Sequence, residues 1–74
     1  MHDLVTFIKE RRKQLKFTQQ DLAERAGVGL RFIRDLEQGK RTLRLDKVNL
    51  VLELFGHTMA PVENKLLEQD ESKG

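Results

Sequence analysis

The side chains of this chain that could do chemistry are mainly basic. Arg31 and Arg34 lie one helical turn apart, and Lys40, Arg41 and Arg44 follow shortly after them. A guanidinium group is a planar set of donors that can pair with two acceptors at once, such as guanine O6 and N7 or two phosphate oxygens. Taken alone, the same residues could equally form a solvated, mixed-charge surface that binds no partner.

The basic residues are concentrated in one part of the chain. Residues 1–44 contain 11 Lys and Arg against 6 Asp and Glu, a balance of +5, whereas residues 45–74 contain 3 against 6, a balance of −3. The net charge of +2 therefore conceals a basic first part and an acidic second part. This asymmetry favours a nucleic-acid-binding face on the first part and a different kind of surface on the second.

Catalytic and metal-binding patterns are absent from the sequence. There is no Cys, and of the two His residues His2 is terminal and His57 stands alone. The carboxylates are scattered over helical surfaces, and there is neither a glycine-rich phosphate loop nor a cluster of metal-ligating residues. A domain this small also has little room for a pocket. We therefore expect no enzymatic activity, no cofactor and no metal.

The length of 74 residues corresponds to one small domain. Because it has no Cys for a disulfide or a thiolate metal site, helix packing or dimerisation must stabilise it. The first residues lack a cationic stretch before an apolar run, and no segment approaches about 18 apolar residues. These features predict neither a signal peptide nor a transmembrane helix, and we expect a cytoplasmic protein.

Apolar residues at helical spacing predict an all-α fold. A first helix covers about residues 4–15, with an inward stripe at Leu4, Ile8 and Leu15. A fourth helix covers about residues 44–55. Its inward face consists of apolar residues three to four positions apart, namely Leu45, Val48, Val51, Leu52 and Phe55.

Two shorter helices are predicted between these longer ones. Thr18 and Asp21 nearly have the form of a capping box, so a second helix starts at about residue 19 and ends at Gly27 in a left-handed conformation. A third helix runs from about residue 29 or 30 to 38 and stops at Gly39. Helices of two turns are unstable alone, so both must pack against their longer neighbours.

The chain after Gly56 is predicted to form a short strand over residues 57–63 and a flexible acidic tail over residues 64–74, which leaves residues 1–56 as the helical domain. A lone strand has unpaired backbone groups, so we expect it to pair with its copy in a homodimer. Two leucines on the flank of the fourth helix would extend the same contact. The predicted dimerisation residues are Leu50, Leu54, His57, Thr58, Met59, Ala60 and Val62.

Three stretches follow one another in a helix, turn and helix arrangement: residues 17–23 (FTQQDLA), 26–29 (AGVG) and 32–40 (FIRDLEQGK). Together they closely resemble the phage-repressor-like (XRE-type) helix-turn-helix family of DNA-binding proteins, over roughly residues 4–56. The resemblance implies a lambda-repressor-like domain of four to five short helices, whose third helix enters the major groove of double-stranded DNA.

The end of the helical region is similar to a subfamily, the HipB-type antitoxins. The similarity lies in residues 42–49 (TLRLDKVN) and 51–56 (VLELFG). It implies a bacterial homodimer that binds an inverted repeat in its operator, represses its own operon and neutralises a HipA-like kinase toxin. Two alternatives stay open: an interaction antitoxin with minor DNA binding, supported by Leu66 and Leu67 in the tail, and a plain phage or metabolic repressor without a toxin.

The resemblance also implies roles for single residues. Residues of the third helix that project away from its inward face would contact bases: Leu30, Arg31 and Arg34. Residues around the start of the second helix and the loop after the third would contact the DNA backbone: Thr18, Gln19, Lys40, Arg41 and Arg44. Arg12 and Glu37 would form a structural ion pair between the first and third helices.

Overall fold

A computed structural model describes residues 2–63 of the chain, and the predicted tail, residues 64–74, lies outside the described residues. The order of elements is α1 (His2–Gln14), α2 (Gln19–Ala26), α3 (Leu30–Glu37) and α4 (Leu45–Leu54). Every regular element of the described chain is helical, so the predicted all-α class is confirmed. Helix α3 packs against α1 and α2, and α2 also packs against α4.

The two-turn helix α2 is fixed at both ends by its own sequence. The Thr18 hydroxyl accepts the backbone N–H of Asp21 at 3.0 Å, and the Asp21 carboxylate accepts the backbone N–H of Thr18 at 2.9 Å. This reciprocal capping box forms although Asp is shorter than the usual Glu. Gly27 ends the helix with φ 76°, as predicted, and Gly39 after α3 has φ 80°.

Helix α1 ends in a way that the sequence did not reveal. Lys16 has φ 60°, the one non-glycine residue with positive φ in the described chain. The N–H of Lys16 donates to the Lys13 carbonyl at 3.0 Å, and the N–H of Phe17 donates to the Arg12 carbonyl at 3.0 Å. These two bonds are the Schellman pattern, which normally has Gly at the left-handed position.

The core draws residues from all four helices. It consists of Ile8, Leu22, Ala23, Ile33, Leu36, Val48, Val51 and Leu52. Two residues predicted to point inward do not belong to it. Leu15 is 50 % exposed because it lies past the end of α1, and Leu45 is 63 % exposed because the packed face of α4 begins one turn later.

The prediction of a strand over residues 57–63 is wrong: this segment forms no strand. It folds back on α4 instead, where the Asn49 side-chain oxygen accepts the N–H of Met59 at 2.9 Å and the hydroxyl of Thr58 at 3.4 Å. A strand requires a neighbouring strand, and the described chain has none to offer. Strand pairing across a dimer therefore has no support.

Candidate nucleic-acid interface

A network of partly buried polar groups around the buried Glu37 joins α1, α2 and α3. Arg12 donates from Nε to Glu37 Oε2 at 2.7 Å and from Nη2 to Glu37 Oε1 at 3.0 Å. Its third nitrogen, Nη1, donates to the Phe17 carbonyl at 2.9 Å. The Glu37 side chain is only 3 % exposed, and such a carboxylate is tolerated in a core when paired and fully hydrogen-bonded.

Gln19 completes this network from the first residue of α2. Its Nε2 donates to Glu37 Oε1 at 3.1 Å, so Glu37 receives bonds from α1 and α2 at once. The structure thus brings together three of the residues predicted from the resemblance, Arg12, Gln19 and Glu37. Through Glu37, the last residue of α3, the network fixes the position of that helix relative to the start of α2.

Helix α3 has a buried face and an exposed face. Ile33 and Leu36 are fully buried, whereas Arg31 and Arg34 are exposed. Within the described residues neither guanidinium takes part in an ion pair or a side-chain hydrogen bond. Leu30 is half-buried and packs against the core, so only part of its side chain is available at the surface.

The loop between α3 and α4 carries three cationic side chains that differ in their contacts with acids. Lys40 Nζ lies 3.5 Å from Asp35 Oδ2. Arg44 makes a two-pronged contact with Asp46, with Nη2 2.8 Å from Oδ2 and Nε 3.2 Å from Oδ1. Arg41 is exposed and makes no such contact with any described residue.

The acids in these pairs were not singled out from the sequence. The Arg44 guanidinium holds the pKa of Asp46 below its ordinary value, chiefly through its hydrogen bonds to the carboxylate. The signal was present, because Asp46 follows Arg44 by two residues at the start of a helix, where acids are favoured. Asp35, two residues before the end of α3, offered no comparable signal.

The predicted dimerisation residues lie on two apolar surfaces. One is a groove of about 510 Å³ between α1 and the segment after α4. It is lined by Leu4, Phe7, Leu52, His57, Thr58, Met59, Ala60 and Val62. His57 stacks at a tilt on Phe7, with ring centroids 4.6 Å apart. The other surface contains Leu50 and Leu54 on α4, with Leu54 beside the exposed Leu15.

A capped two-turn helix, a glycine-containing turn and a helix with exposed arginines define a helix-turn-helix protein. The comparisons agree: the helix-turn-helix family profile matches residues 8–60, and the chain belongs to this family. It is similar, at 42 % identity over 66 residues, to the uncharacterized HTH-type transcriptional regulator y4mF of Sinorhizobium fredii (strain NBRC 101917 / NGR234). The aligned region covers 85 % of this chain and 87 % of the relative. No solved structure gave a significant match.

Family membership confirms the helix-turn-helix resemblance and the expectation of a DNA-binding regulator rather than an enzyme. Among residues 2–63, no helix has the length and apolar character needed to cross a membrane. Nor does that part of the chain contain a group of three or more His, Asp or Glu side chains placed to hold a metal ion.

Proposed function

We propose that the chain is a bacterial, cytoplasmic repressor that binds a specific DNA sequence and blocks transcription by occupying it. The observation that carries this proposal is the placement of Arg31 and Arg34 on α3. Both are exposed and unpaired within the described chain, while the opposite face of the helix is fixed in the core. In the major groove each guanidinium would pair with guanine O6 and N7, and the exposed part of Leu30 would contact a thymine methyl group.

Contacts to phosphates would hold this helix in register. Helix α2 begins at Gln19 with free N–H groups and the positive end of its dipole, next to the hydroxyl of Thr18. The loop after α3 supplies Lys40, Arg41 and Arg44. Such contacts carry most of the salt-dependent affinity without reading sequence.

We also propose that the repressor is a two-fold homodimer. Support comes from exposed apolar residues on the two apolar surfaces described above, Leu50, Leu54, Met59 and Val62. In this arrangement residues 1–56 form the DNA-binding domain and residues 57–63 contribute to the dimer contact without forming a strand. The two copies of α3 would lie about 34 Å apart and read the halves of an inverted repeat.

The proposed biological role is that of a HipB-like antitoxin, which represses its own operon and holds a HipA-like kinase toxin inactive. Its support is the sequence similarity over residues 42–56. The test is co-purification of the chain with the protein encoded next to it. A kinase-like neighbour that binds stoichiometrically supports the role, whereas absence of such a neighbour makes the chain a plain repressor.

The DNA-binding proposal is tested with fluorescence anisotropy on a labelled duplex of the protein's own promoter and on a scrambled duplex. We expect tighter binding to the promoter and a linear fall of log K with log salt concentration. Arg31→Ala should reduce the preference for the promoter, because one of the proposed base contacts is lost. Equal binding to both duplexes, or an affinity that does not change with salt, would reject a repressor. Either result would favour the alternative of an interaction antitoxin with minor DNA binding.

A further inference from the structure

Two of the three cations expected to bind phosphates are already held by acids. Arg44 donates two hydrogen bonds, of 2.8 and 3.2 Å, to the Asp46 carboxylate. Lys40 Nζ lies 3.5 Å from Asp35 Oδ2. The Arg44–Asp46 pair is open to solvent, with the two side chains 68 % and 63 % exposed. These acids stand beside the candidate phosphate contacts, where negative charge opposes DNA binding.

We propose that Asp46, and to a lesser extent Asp35, limit the affinity of this protein for the DNA backbone. Each acid competes with a phosphate for one cation, so the cation must leave its carboxylate before it binds DNA. The inference rests on the proposed DNA-binding function and concerns the regulation of that same surface.

The geometry gives Asp46 the larger effect. Its contact with Arg44 is bidentate, whereas the Lys40–Asp35 contact is a single longer one. Because the Arg44–Asp46 pair is surrounded by water, it is weak enough to exchange with a phosphate. After the exchange the free Asp46 carboxylate still lies near the DNA and repels it. Competition and repulsion act in the same direction.

The effect would be independent of DNA sequence. Every duplex presents phosphates, so an acid that competes with phosphates weakens binding to operator and non-operator DNA by the same factor. The ratio of operator affinity to non-operator affinity is then determined by the base contacts of α3. Such an acid therefore lowers the affinity for operator and non-specific DNA alike and leaves the specificity ratio unchanged.

The test compares Asp46→Asn with Glu53→Gln, which removes one exposed acid at the far end of the same helix. Dissociation constants are measured for operator and scrambled duplexes between about 50 and 300 mM salt. We expect Asp46→Asn to bind both duplexes about three- to tenfold more tightly at low salt. The slope of log K against log salt should become more negative by up to about 0.9, one phosphate contact, and Asp35→Asn should show a smaller change.

A double-variant cycle separates release of Arg44 from a general change of charge. In an Arg44→Gln background, Asp46→Asn should lose its effect on the salt slope, because there is no cation left to release. Asp46→Ser repeats the test should Asp46→Asn fold poorly, since Ser is also a short, polar and uncharged side chain. Equal behaviour of Asp46→Asn and Glu53→Gln, with normal DNA binding by the wild type, would overturn this inference alone. A wild type that binds no DNA would overturn it together with the proposed function.

Discussion

The guanidinium of Arg12 and the carboxylate of Glu37 form a bidentate pair that connects α1 to the last residue of α3. The two N–O distances are 2.7 and 3.0 Å. Arg12 also donates to the Phe17 carbonyl, and the Gln19 amide donates to Glu37. No buried side-chain polar atom of the described chain lacks a partner. The orientation of α3 therefore depends on a polar network as well as on apolar packing.

Glu37→Ala should destabilise the whole domain. It leaves the Arg12 charge, 15 % exposed, without its partner, which costs roughly 3–5 kcal/mol of unfolding free energy. Urea denaturation followed by circular dichroism measures this, with Glu53→Ala as the control at an exposed site. An unchanged free energy of unfolding together with lost operator binding would contradict a structural role.

The double variant Arg12→Met/Glu37→Leu tests the same pair by removing both of its charges. Because it leaves no buried charge unpaired, we expect it to be more stable than Glu37→Ala. A double variant as unstable as the single one would show that the geometry of the bonds, rather than charge pairing, stabilises this region.

Gly27→Ala should lower stability for a purely conformational reason. Gly27 has φ 76°, and a Cβ built there meets no atom within 4 Å. The left-handed conformation costs a residue with a Cβ roughly 1–2 kcal/mol. Gly29→Ala is the comparison, since its site is equally open and its φ of −76° suits any residue; as the N-cap of α3 it should lose only the smaller preference for Gly over Ala at that position. Thermal unfolding of both variants checks this, and equal melting temperatures would reject the explanation.

Much of the fold could be predicted because local signals and tertiary packing agree. Thr18 with Asp21 predicted the start of α2, and Gly27 and Gly39 predicted two helix ends, since each acts on backbone groups within a few residues. The end of α1 near residue 15 was predicted, but the left-handed conformation of Lys16 was not, because a residue with a Cβ rarely adopts it. Residues 57–63 alternate like a strand, but alternation supplies no partner strand.

The positions of the candidate DNA-contacting residues could be predicted from the helix-turn-helix motif. The ion pairs that some of these residues form could not. Arg31 and Arg34 are exposed because helical periodicity puts Ile33 and Leu36 on the opposite face. Whether Arg44 pairs with Asp46 depends on the rotamers of two exposed side chains, which helical periodicity does not determine. Leu30 differs again: it lies on the predicted face, yet the neighbouring core covers part of it.

Acid should destabilise the protein partly through the capping box of α2. The backbone N–H of Thr18 lowers the pKa of Asp21 from its usual 3.8 in the folded state. Because the folded pKa is the lower one, this contribution is present above the unfolded pKa and is lost as pH falls through the folded pKa. Asp21→Asn should therefore be less stable at neutral pH and lose less stability in acid.

Thermal unfolding from neutral pH down to about pH 2 tests this expectation. Glu53→Gln is the control, because it removes a carboxylate that accepts no capping bond. Asp46, whose pKa is also lowered, adds acid sensitivity of the same sign and remains in both variants. Parallel curves for the wild type and Asp21→Asn would argue against the capping bond as a source of acid sensitivity.

Substitutions on the exposed apolar surfaces should dissociate the proposed dimer. Val62→Asp, at a residue 71 % exposed, puts a charge on the rim of the groove, and Leu50→Lys does the same on α4. We expect the dimer to weaken by at least about tenfold without loss of helix content, because burying an unpaired charge is costly. Leu45→Lys, an exposed leucine outside these surfaces, is the control in sedimentation equilibrium. A wild type that is monomeric at micromolar concentration would contradict the homodimer.

Arg31→Ala and Arg41→Ala should damage DNA binding in different ways. Arg31 is expected to read a base, so its loss should cost about 1–3 kcal/mol on the operator and relax the preference at one base pair. Arg41 is expected to contact a phosphate, so its loss should weaken binding to every duplex equally and make the salt slope less negative by about one. Anisotropy titrations on the operator, single-base variants and a scrambled duplex separate the two patterns. If Arg31→Ala weakened all duplexes alike, Arg31 would be a backbone contact, and base reading would fall to Arg34.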